Sequence, residues 1–178
     1  MFDSLWQDLR VAYARQEDAA SWKRALRVAT SQGVWALGVY RYGRWLRQQR
    51  HPAFRLVRPS HFVLNKAAEI LTGIKIFPDV TIGRGCYLHN FGGVVINGDV
   101  GEECVLVQGA QLLSRADGRG GARPRLGRRV YVGAGAKILG GVVIGDGAKI
   151  GANAVVLQSV PAGATAVGVP ARIIRRDP

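Results

Sequence analysis

Cysteine is scarce in this sequence, and so are the patterns that would make cysteine structural or metal-binding. The two cysteines, Cys86 and Cys104, form no CxxC pair and no cluster with histidine at metal-ligand spacing. We therefore expect neither a disulfide framework nor a bound metal.

Long apolar runs are also missing. No stretch of about 18 apolar residues occurs that could cross a bilayer, although hydrophobic residues make up 48% of the chain, which is too many for a disordered protein. The N-terminal sequence MFDSLWQDLR carries acids and lacks the basic start and apolar centre of a signal peptide. These absences predict a soluble, cytoplasmic protein.

Acidic residues are few, since 12 Asp and Glu stand against 25 Lys and Arg and the net charge is +13. Such an excess favours an anionic partner, which could be nucleic acid, an anionic membrane surface or a phosphorylated cofactor. The positive charge is spread over both halves of the chain, without a basic tail. No helix-turn-helix, RNP or zinc-finger signature accompanies it, so we do not expect a nucleic-acid partner.

The second half of the chain has a six-residue repeat. An aliphatic residue opens each block, glycine often follows it, and the fifth position is small or β-branched. The frame breaks once, at SRADGRGGARPR, and then resumes. The aliphatic positions are Ile76, Ile82, Leu88, Val94, Val100, Leu106 and Leu112, then Leu126, Val132, Ile138, Ile144, Ile150 and Val156.

This repeat predicts a left-handed parallel β-helix. Each block makes one short strand and one turn, three blocks close one coil, and stacked coils bury the aliphatic side chains in one column. The predicted β-helix domain is residues 74–178, with an inserted loop at 113–125. Cys86 and Cys104 both occupy the fifth position of a block, so we expect them to be small, reduced core residues.

The first 73 residues predict a small α-helical domain in front of the coil. Pro52 and Pro59 are expected to separate its third and fourth helices. Trp22, Trp35 and Trp45 are expected in the core of this domain. The predicted helices are 3–15, a second capped by Ser21 that ends near residue 31, a third that ends near residue 49, and 61–71.

Arginines in the third predicted helix suggest a basic face. It comprises Arg41, Arg44, Arg47 and Arg50. Such a face is either solvated or makes peripheral contact with an anionic membrane.

Several segments together resemble the serine O-acetyltransferase family, including its short relatives in exopolysaccharide biosynthesis. They are GIKIFPDVTIGRG, GGVVING, VYVGAGAKILGGVVIGDGAKIGANAVVLQSVP and AVGVPARII. The resemblance implies transfer of an acetyl group from acetyl-CoA to a hydroxyl, at a site between subunits of a homotrimer. It also implies a histidine general base that a neighbouring acid orients.

The residues of this chain depart from that pattern at the catalytic positions. Aligned on the family's Leu-Asp-His-x-x-Gly segment, LHNFGG places Asn90 at the base and His89 at the preceding acid. Lys75 stands where the orienting acid is expected. The family's Arg-His-Pro, which holds the serine carboxylate, reads ARP at 122–124. We therefore expect a sugar or another alcohol, ahead of L-serine, as the acceptor.

Three interpretations of His89 follow. It serves as the base after a local bulge that Gly92 and Gly93 permit, or it is a structural polar residue on an enzyme whose base lies elsewhere. In the third, catalysis has been lost and the scaffold retained.

The resemblance also suggests binding residues. Asp18 falls where the family has a substrate-binding aspartate, and Arg123 lies in the inserted loop, where arginines could meet an acidic acceptor or CoA phosphates. Residues expected along the CoA groove are Ala134, Gly135, Lys149, Gly168 and Arg172.

The sequence therefore predicts an acetyl-CoA-dependent O-acetyltransferase that modifies a hydroxyl of a sugar, polysaccharide precursor or similar alcohol. One alternative is a serine O-acetyltransferase of cysteine biosynthesis. The other is a non-catalytic trimeric scaffold that retains CoA binding.

Overall fold

The computed structural model describes residues 2–15, 20–49, 51, 54–89, 92–114 and 121–174 of the 178-residue chain. Four helices come first, followed by a coil of short strands. The helices are α1 (Phe2–Ala14), α2 (Ser21–Ala29), α3 (Gln32–Gln48) and α4 (Phe54–Thr72).

The first three predicted helices are confirmed with small shifts at their ends. Ser21 is the first residue of α2, and the N-cap position is held by Ala20. The predicted start of the fourth helix is wrong, since α4 begins at Phe54 and passes through Pro59. Pro59 is the sixth residue of α4 and removes one backbone hydrogen bond. The packing of α4 on α3 stabilises the helix on both sides of it.

Short strands then lie on three sheets. The strands are β1 (Ile74–Ile76), β2 (Tyr87–Leu88), β3 (Val94–Ile96), β4 (Asp99–Val100), β5 (Val105–Leu106), β6 (Gln111–Leu113), β7 (Arg125–Leu126), β8 (Tyr131–Val132), β9 (Lys137–Leu139), β10 (Val143–Ile144), β11 (Lys149–Ile150), β12 (Val155–Val156), β13 (Thr165–Gly168) and β14 (Ala171–Ile174).

Successive strands occupy successive sheets, so the chain runs repeatedly around three faces. Sheet A has the order β1-β3-β6-β9-β12, sheet B the order β10-β7-β4, and sheet C the order β14-β13-β11-β8-β5-β2. All pairings are parallel except the final β13–β14 hairpin. This is the stacked parallel arrangement that the six-residue repeat predicts.

The aliphatic positions of the repeat form the core. Leu88 lies opposite Leu106, which lies opposite Val132, and these side chains are at most 2% exposed. Cys86 and Cys104 are buried and unpaired, as predicted. A hydrogen bond with Cys104, together with burial, raises the pKa of the Cys86 thiol, so Cys86 is unsuited to a nucleophilic role.

One coil departs from the six-residue frame. In sheet A, Ile96 lies opposite both Ile76 and Leu112, whereas the frame places Val94 there. The segment that leads from Leu88 to the inward residue of β3 is therefore two residues longer than the frame predicts, because that residue is Ile96 and not Val94. The segment from Ile96 to Val100 is correspondingly shorter, so Val100 is back in the frame. The longer segment is the one that begins with His89.

A buried ion pair between α1 and α3 is hydrogen-bonded to the first coil. The Arg41 guanidinium lies 3.1 Å from the Asp8 carboxylate and also donates to the carbonyls of Ile82 and Gly83. Asp8 in turn accepts a hydrogen bond from the Cys86 backbone N–H. These bonds satisfy charges that would otherwise be costly to bury.

The prediction of a basic face on α3 is wrong for Arg41, because Arg41 is buried in this ion pair. Arg44 is half-buried and donates to the Val80 carbonyl. Arg50 lies outside the described residues.

The expectation of a tryptophan core in the helical part is also wrong for two of the three residues. Trp22 is 65% exposed and Trp35 is 49% exposed. Trp22 is exposed because α2 packs on α1 and buries only Val28. Trp35 lies near the start of α3, where its ring N–H donates to the Ala29 carbonyl at 2.6 Å. Trp45 is half-buried, with its ring centroid 5.6 Å from that of Phe54.

Candidate active site

The turns that leave sheet C stack on one another and form one edge of the coil, called here the glycine edge. Gly109 N–H donates to the Gly92 carbonyl at 2.8 Å, and Asn153 N–H donates to the Ala134 carbonyl at 2.7 Å. Gly135 N–H donates to Gln108 between them. Residues far apart in sequence are thus brought into one line.

His89 lies at the first layer of the glycine edge, directly after β2. Its backbone N–H donates to the Leu106 carbonyl at 2.9 Å, and its side chain is exposed. The Tyr87 ring meets the imidazole edge-on, with ring centroids 6.0 Å apart. The His89 backbone is therefore held in place, and its imidazole is accessible to a ligand.

Positive-φ glycines shape the end of the loop that carries His89. Gly92 has φ 84° and Gly93 has φ 73°, values that other residues rarely adopt. Both glycines lie at the end of the longer β2–β3 segment. Asn90 lies outside the described residues.

The predicted CoA residues gather further along the same side of the molecule. Ala134 and Gly135 form the turn two layers from His89, or roughly 10 Å at the usual strand spacing. Gly168 ends β13 at the same edge. Lys149 lies on the outer face of sheet C, and Arg172 lies in β14 of the same sheet.

Several positions of the glycine edge lack side chains, and two basic residues lie beside it. A Cβ on Gly135 would overlap Asn153 Oδ1, and one on Gly151 would come within 2.8 Å of Val167 Cγ1. Both Lys149 and Arg172 have exposed side chains. An edge with several glycines beside two cations suits an extended chain that ends in phosphates.

Arg123 lies elsewhere in the same chain. It precedes β7, where the neighbouring Pro124 carbonyl accepts a hydrogen bond from Asp99 N–H at 2.9 Å. This position is the edge between sheets A and B, so the width of sheet A separates Arg123 from His89. Asp18, the other predicted substrate residue, lies outside the described residues.

The contact of Tyr87 with His89, and that of Arg15 with Tyr87, were not anticipated from the sequence. The Arg15 guanidinium lies 5.2 Å from the centroid of the Tyr87 ring, which connects the end of α1 to the site. The alternation of side chains along β2 is a signal that could have placed Tyr87 on the same face as His89.

Lys75, which stands where the family pattern has an acid, is engaged away from His89. Its ammonium lies 3.6 Å from the Glu69 carboxylate and 5.3 Å from the Phe77 ring centroid. Lys75 is therefore part of a contact between α4 and β1.

Among the described residues, no three His, Cys, Asp or Glu side chains come together in a way that could hold a metal ion. In the same part of the chain, no helix is both long and apolar enough to cross a membrane.

Comparison with known proteins gives consistent matches. Residues 123–158 match the family described as bacterial transferase hexapeptide (six repeats). The serine acetyltransferase of Synechococcus elongatus is 36% identical over 178 residues, a match covering 99% of this chain and 70% of that protein. The Helicobacter pylori J99 serine acetyltransferase is 38% identical, with 91% and 92% covered.

Solved structures agree with these sequence matches. Soybean serine acetyltransferase complexed with serine superimposes with a TM-score of 0.83 at 32% identity. The superposition covers 97% of this chain and 68% of the soybean chain.

Proposed function

The chain belongs to the serine acetyltransferase family, a class of acyltransferases, and we propose that it transfers an acetyl group from acetyl-CoA to the hydroxyl of L-serine. The observation that carries this proposal is the alignment of His89 with the glycine turns and the two cations along one side of the coil. The named relatives favour serine over the sugar acceptor that the sequence departures suggest.

His89 is the general base in this proposal. A hydroxyl is a weak nucleophile at neutral pH, and a nearby imidazole can remove its proton as the oxygen attacks the thioester carbonyl. The Asn90 side chain is an amide and cannot accept that proton at neutral pH. The exposure of the His89 side chain directly after β2 supports its assignment as the base.

The glycine edge is the proposed path of acetyl-CoA. Ala134, Gly135 and Gly168 line the route of the pantetheine arm, and Lys149 and Arg172 bind phosphates. Gly135 and Gly168 have no side chains, so an extended chain can approach the backbone closely at these positions. The protein supplies binding and orientation, since the thioester is already activated and needs no metal.

A homotrimer with left-handed coils completes the proposed site. Arg123 and the inserted loop at 113–125 lie on a different edge from His89. If the loop of one subunit covers the glycine edge of its neighbour, Arg123 reaches the acceptor there. Asp18 is the second proposed contact to the acceptor.

A sugar or polysaccharide-precursor hydroxyl is the second candidate acceptor. The sequence ARP at 122–124 replaces the Arg-His-Pro that the family resemblance associates with the serine carboxylate. This difference favours an acceptor without a carboxylate at that position.

Release of free CoA from acetyl-CoA tests the proposal across L-serine, other amino alcohols and a set of sugars. We expect the highest rate with L-serine, and a loss of kcat on the order of a hundredfold or more in His89→Ala. Acetyl-CoA should still bind to this variant. His51→Ala removes an imidazole from the helical part and serves as the matched control.

Each result has a clear meaning. A higher rate with a sugar than with L-serine would transfer the assignment to the second acceptor. No CoA release with any acceptor, or full activity in His89→Ala, would contradict the proposal.

A further inference from the structure

Helix α2 divides into an apolar side and a basic side. At about 100° per residue, Trp22, Leu26 and Ala29 fall on one stripe, with Ala25 and Val28 beside them. The opposite side holds all the charges of the helix. They are Lys23, Arg24 and Arg27, and no acid occurs within Ser21–Ala29.

On the apolar side of α2, Val28 is buried, but the other large side chains are not covered by the rest of the described chain. Trp22 is 65% exposed and Leu26 is 57% exposed. The exposed surface continues onto α1, where Trp6 is 59% exposed and Tyr13 is 36% exposed. Trp6, Tyr13, Trp22 and Leu26 are called here the aromatic patch.

A cleft runs between the two helices within this surface. Its volume is about 500 Å³, and Arg10 is the one charged residue among those that line it. The lining residues are Trp6, Leu9, Arg10, Tyr13, Ala25, Val28 and Ala29. The cleft joins the apolar sides of α1 and α2 into one surface.

Basic side chains surround the aromatic patch closely. Arg10 lies 5.7 Å from the Trp6 ring, Lys23 lies 5.5 Å from Trp22, and Arg24 lies 5.8 Å from Tyr13. Asp8 on α1 is withdrawn into its buried ion pair.

The nearby acids only partly offset this charge. Asp3 stands at the start of α1, and Glu17 and Asp18 precede α2 in the sequence. Within the two helices the basic residues outnumber the acids.

We propose that the aromatic patch binds the surface of an anionic membrane. Exposed tryptophans with lysine and arginine beside them suit the boundary between lipid headgroups and acyl chains. Each basic residue near such a surface adds attraction to anionic lipid. A second copy docked on the patch through a two-fold contact fits less well, because that contact would bring the same basic residues face to face.

Flotation of the full chain with lipid vesicles tests this proposal. One set of vesicles contains phosphatidylcholine alone, and the other contains equal parts phosphatidylcholine and phosphatidylglycerol. We expect flotation only with the second set, and weaker binding as salt is added. Lys23→Gln and Arg27→Gln should each lower the partition coefficient about fivefold.

Two further variants sharpen the test. Trp22→Ala removes an exposed side chain and should also weaken binding without loss of the fold. Arg128→Gln removes one positive charge from the coil, where Arg128 pairs with Glu102, and should leave flotation unchanged.

Three results would overturn the proposal. They are equal flotation with both sets of vesicles, no flotation with either, and a partition coefficient that Lys23→Gln and Arg27→Gln leave unaltered. A change in the oligomer mass of Trp22→Ala in solution would likewise overturn it and assign the patch to a contact between copies.

Discussion

Two glycines of α3 should respond in opposite ways to the same substitution. Gly33 faces β2, and a Cβ there would overlap the carbonyl oxygen of Leu88 and lie 3.0 Å from the Leu88 Cβ. Gly38 belongs to the same helix and has nothing within 4 Å of an added Cβ. Gly33→Ala and Gly38→Ala therefore share their chemistry and differ only in surroundings.

The magnitudes follow from helix propensity and packing. Gly38→Ala should stabilise the protein by about 0.5–1 kcal/mol, because alanine is a better helix former than glycine. Gly33→Ala has a similar intrinsic gain, but the obstacle is backbone that no rotamer change can relieve. Overpacking of this kind costs about 1–3 kcal/mol, and after the intrinsic gain is subtracted we expect a net loss of about 1 kcal/mol.

Urea unfolding of both variants measures these changes, and CoA release measures their effect on function. His89 directly follows Leu88, so displacement of Leu88 by Gly33→Ala should also reduce activity, whereas Gly38→Ala should leave activity intact. If both variants shift stability in the same direction by similar amounts, the proposed close packing of α3 on β2 is refuted.

Other substitutions test the ion pair, the core and one histidine. Asp8→Asn leaves the buried Arg41 without its charge partner and should cost about 3–5 kcal/mol in urea unfolding; unchanged stability would mean that the pair is not buried in solution. Leu106 is 0% exposed, and Leu106→Ala should lower the free energy of unfolding by about 2–5 kcal/mol. A loss as small as that of a surface substitution would contradict its place in the core. Burial and the positive charge of Arg47 lower the pKa of His61 below its ordinary value of 6.5. The stability that the neutral imidazole contributes is therefore fully present above pH 6.5 and is lost as the pH falls through the folded-state pKa. His61→Gln should flatten the decline in unfolding free energy between roughly pH 7 and pH 5, and an unaltered decline would exclude His61 as its source.

The repeating part of the fold could be predicted because each block solves the same packing problem. An inward aliphatic residue every six positions is enough to place Leu88, Leu106 and Val132 in one column. The frame could not reveal the departure at Ile96, because the extra residues after Leu88 are offset before Val100. Val94 and Ile96 are both aliphatic and both buried, so either fits the pattern.

The helical part was harder to predict because its residues lack a repeating environment. Arg41 looks like a member of a surface stripe, and only the approach of Asp8 from α1 makes its burial favourable. Trp22 is a large aromatic residue of the kind expected in a core, yet α2 has too few packing neighbours to cover it.

For the candidate site, the sequence suggests which residues take part but does not indicate how they are arranged. The family resemblance suggests His89 and the CoA residues as candidates. Their common edge depends on how the coils stack, as the hydrogen bond from Asn153 to Ala134 shows.

The structure of the protein in complex with CoA would test the central claim most directly. We expect the CoA sulfur at the first layers of the glycine edge, close to the His89 imidazole, with the phosphates near Lys149 and Arg172. A sulfur bound at the edge between sheets A and B, or too far from His89 for a single acceptor hydroxyl to lie between them, would contradict the assignment of the base and of the path of the co-substrate.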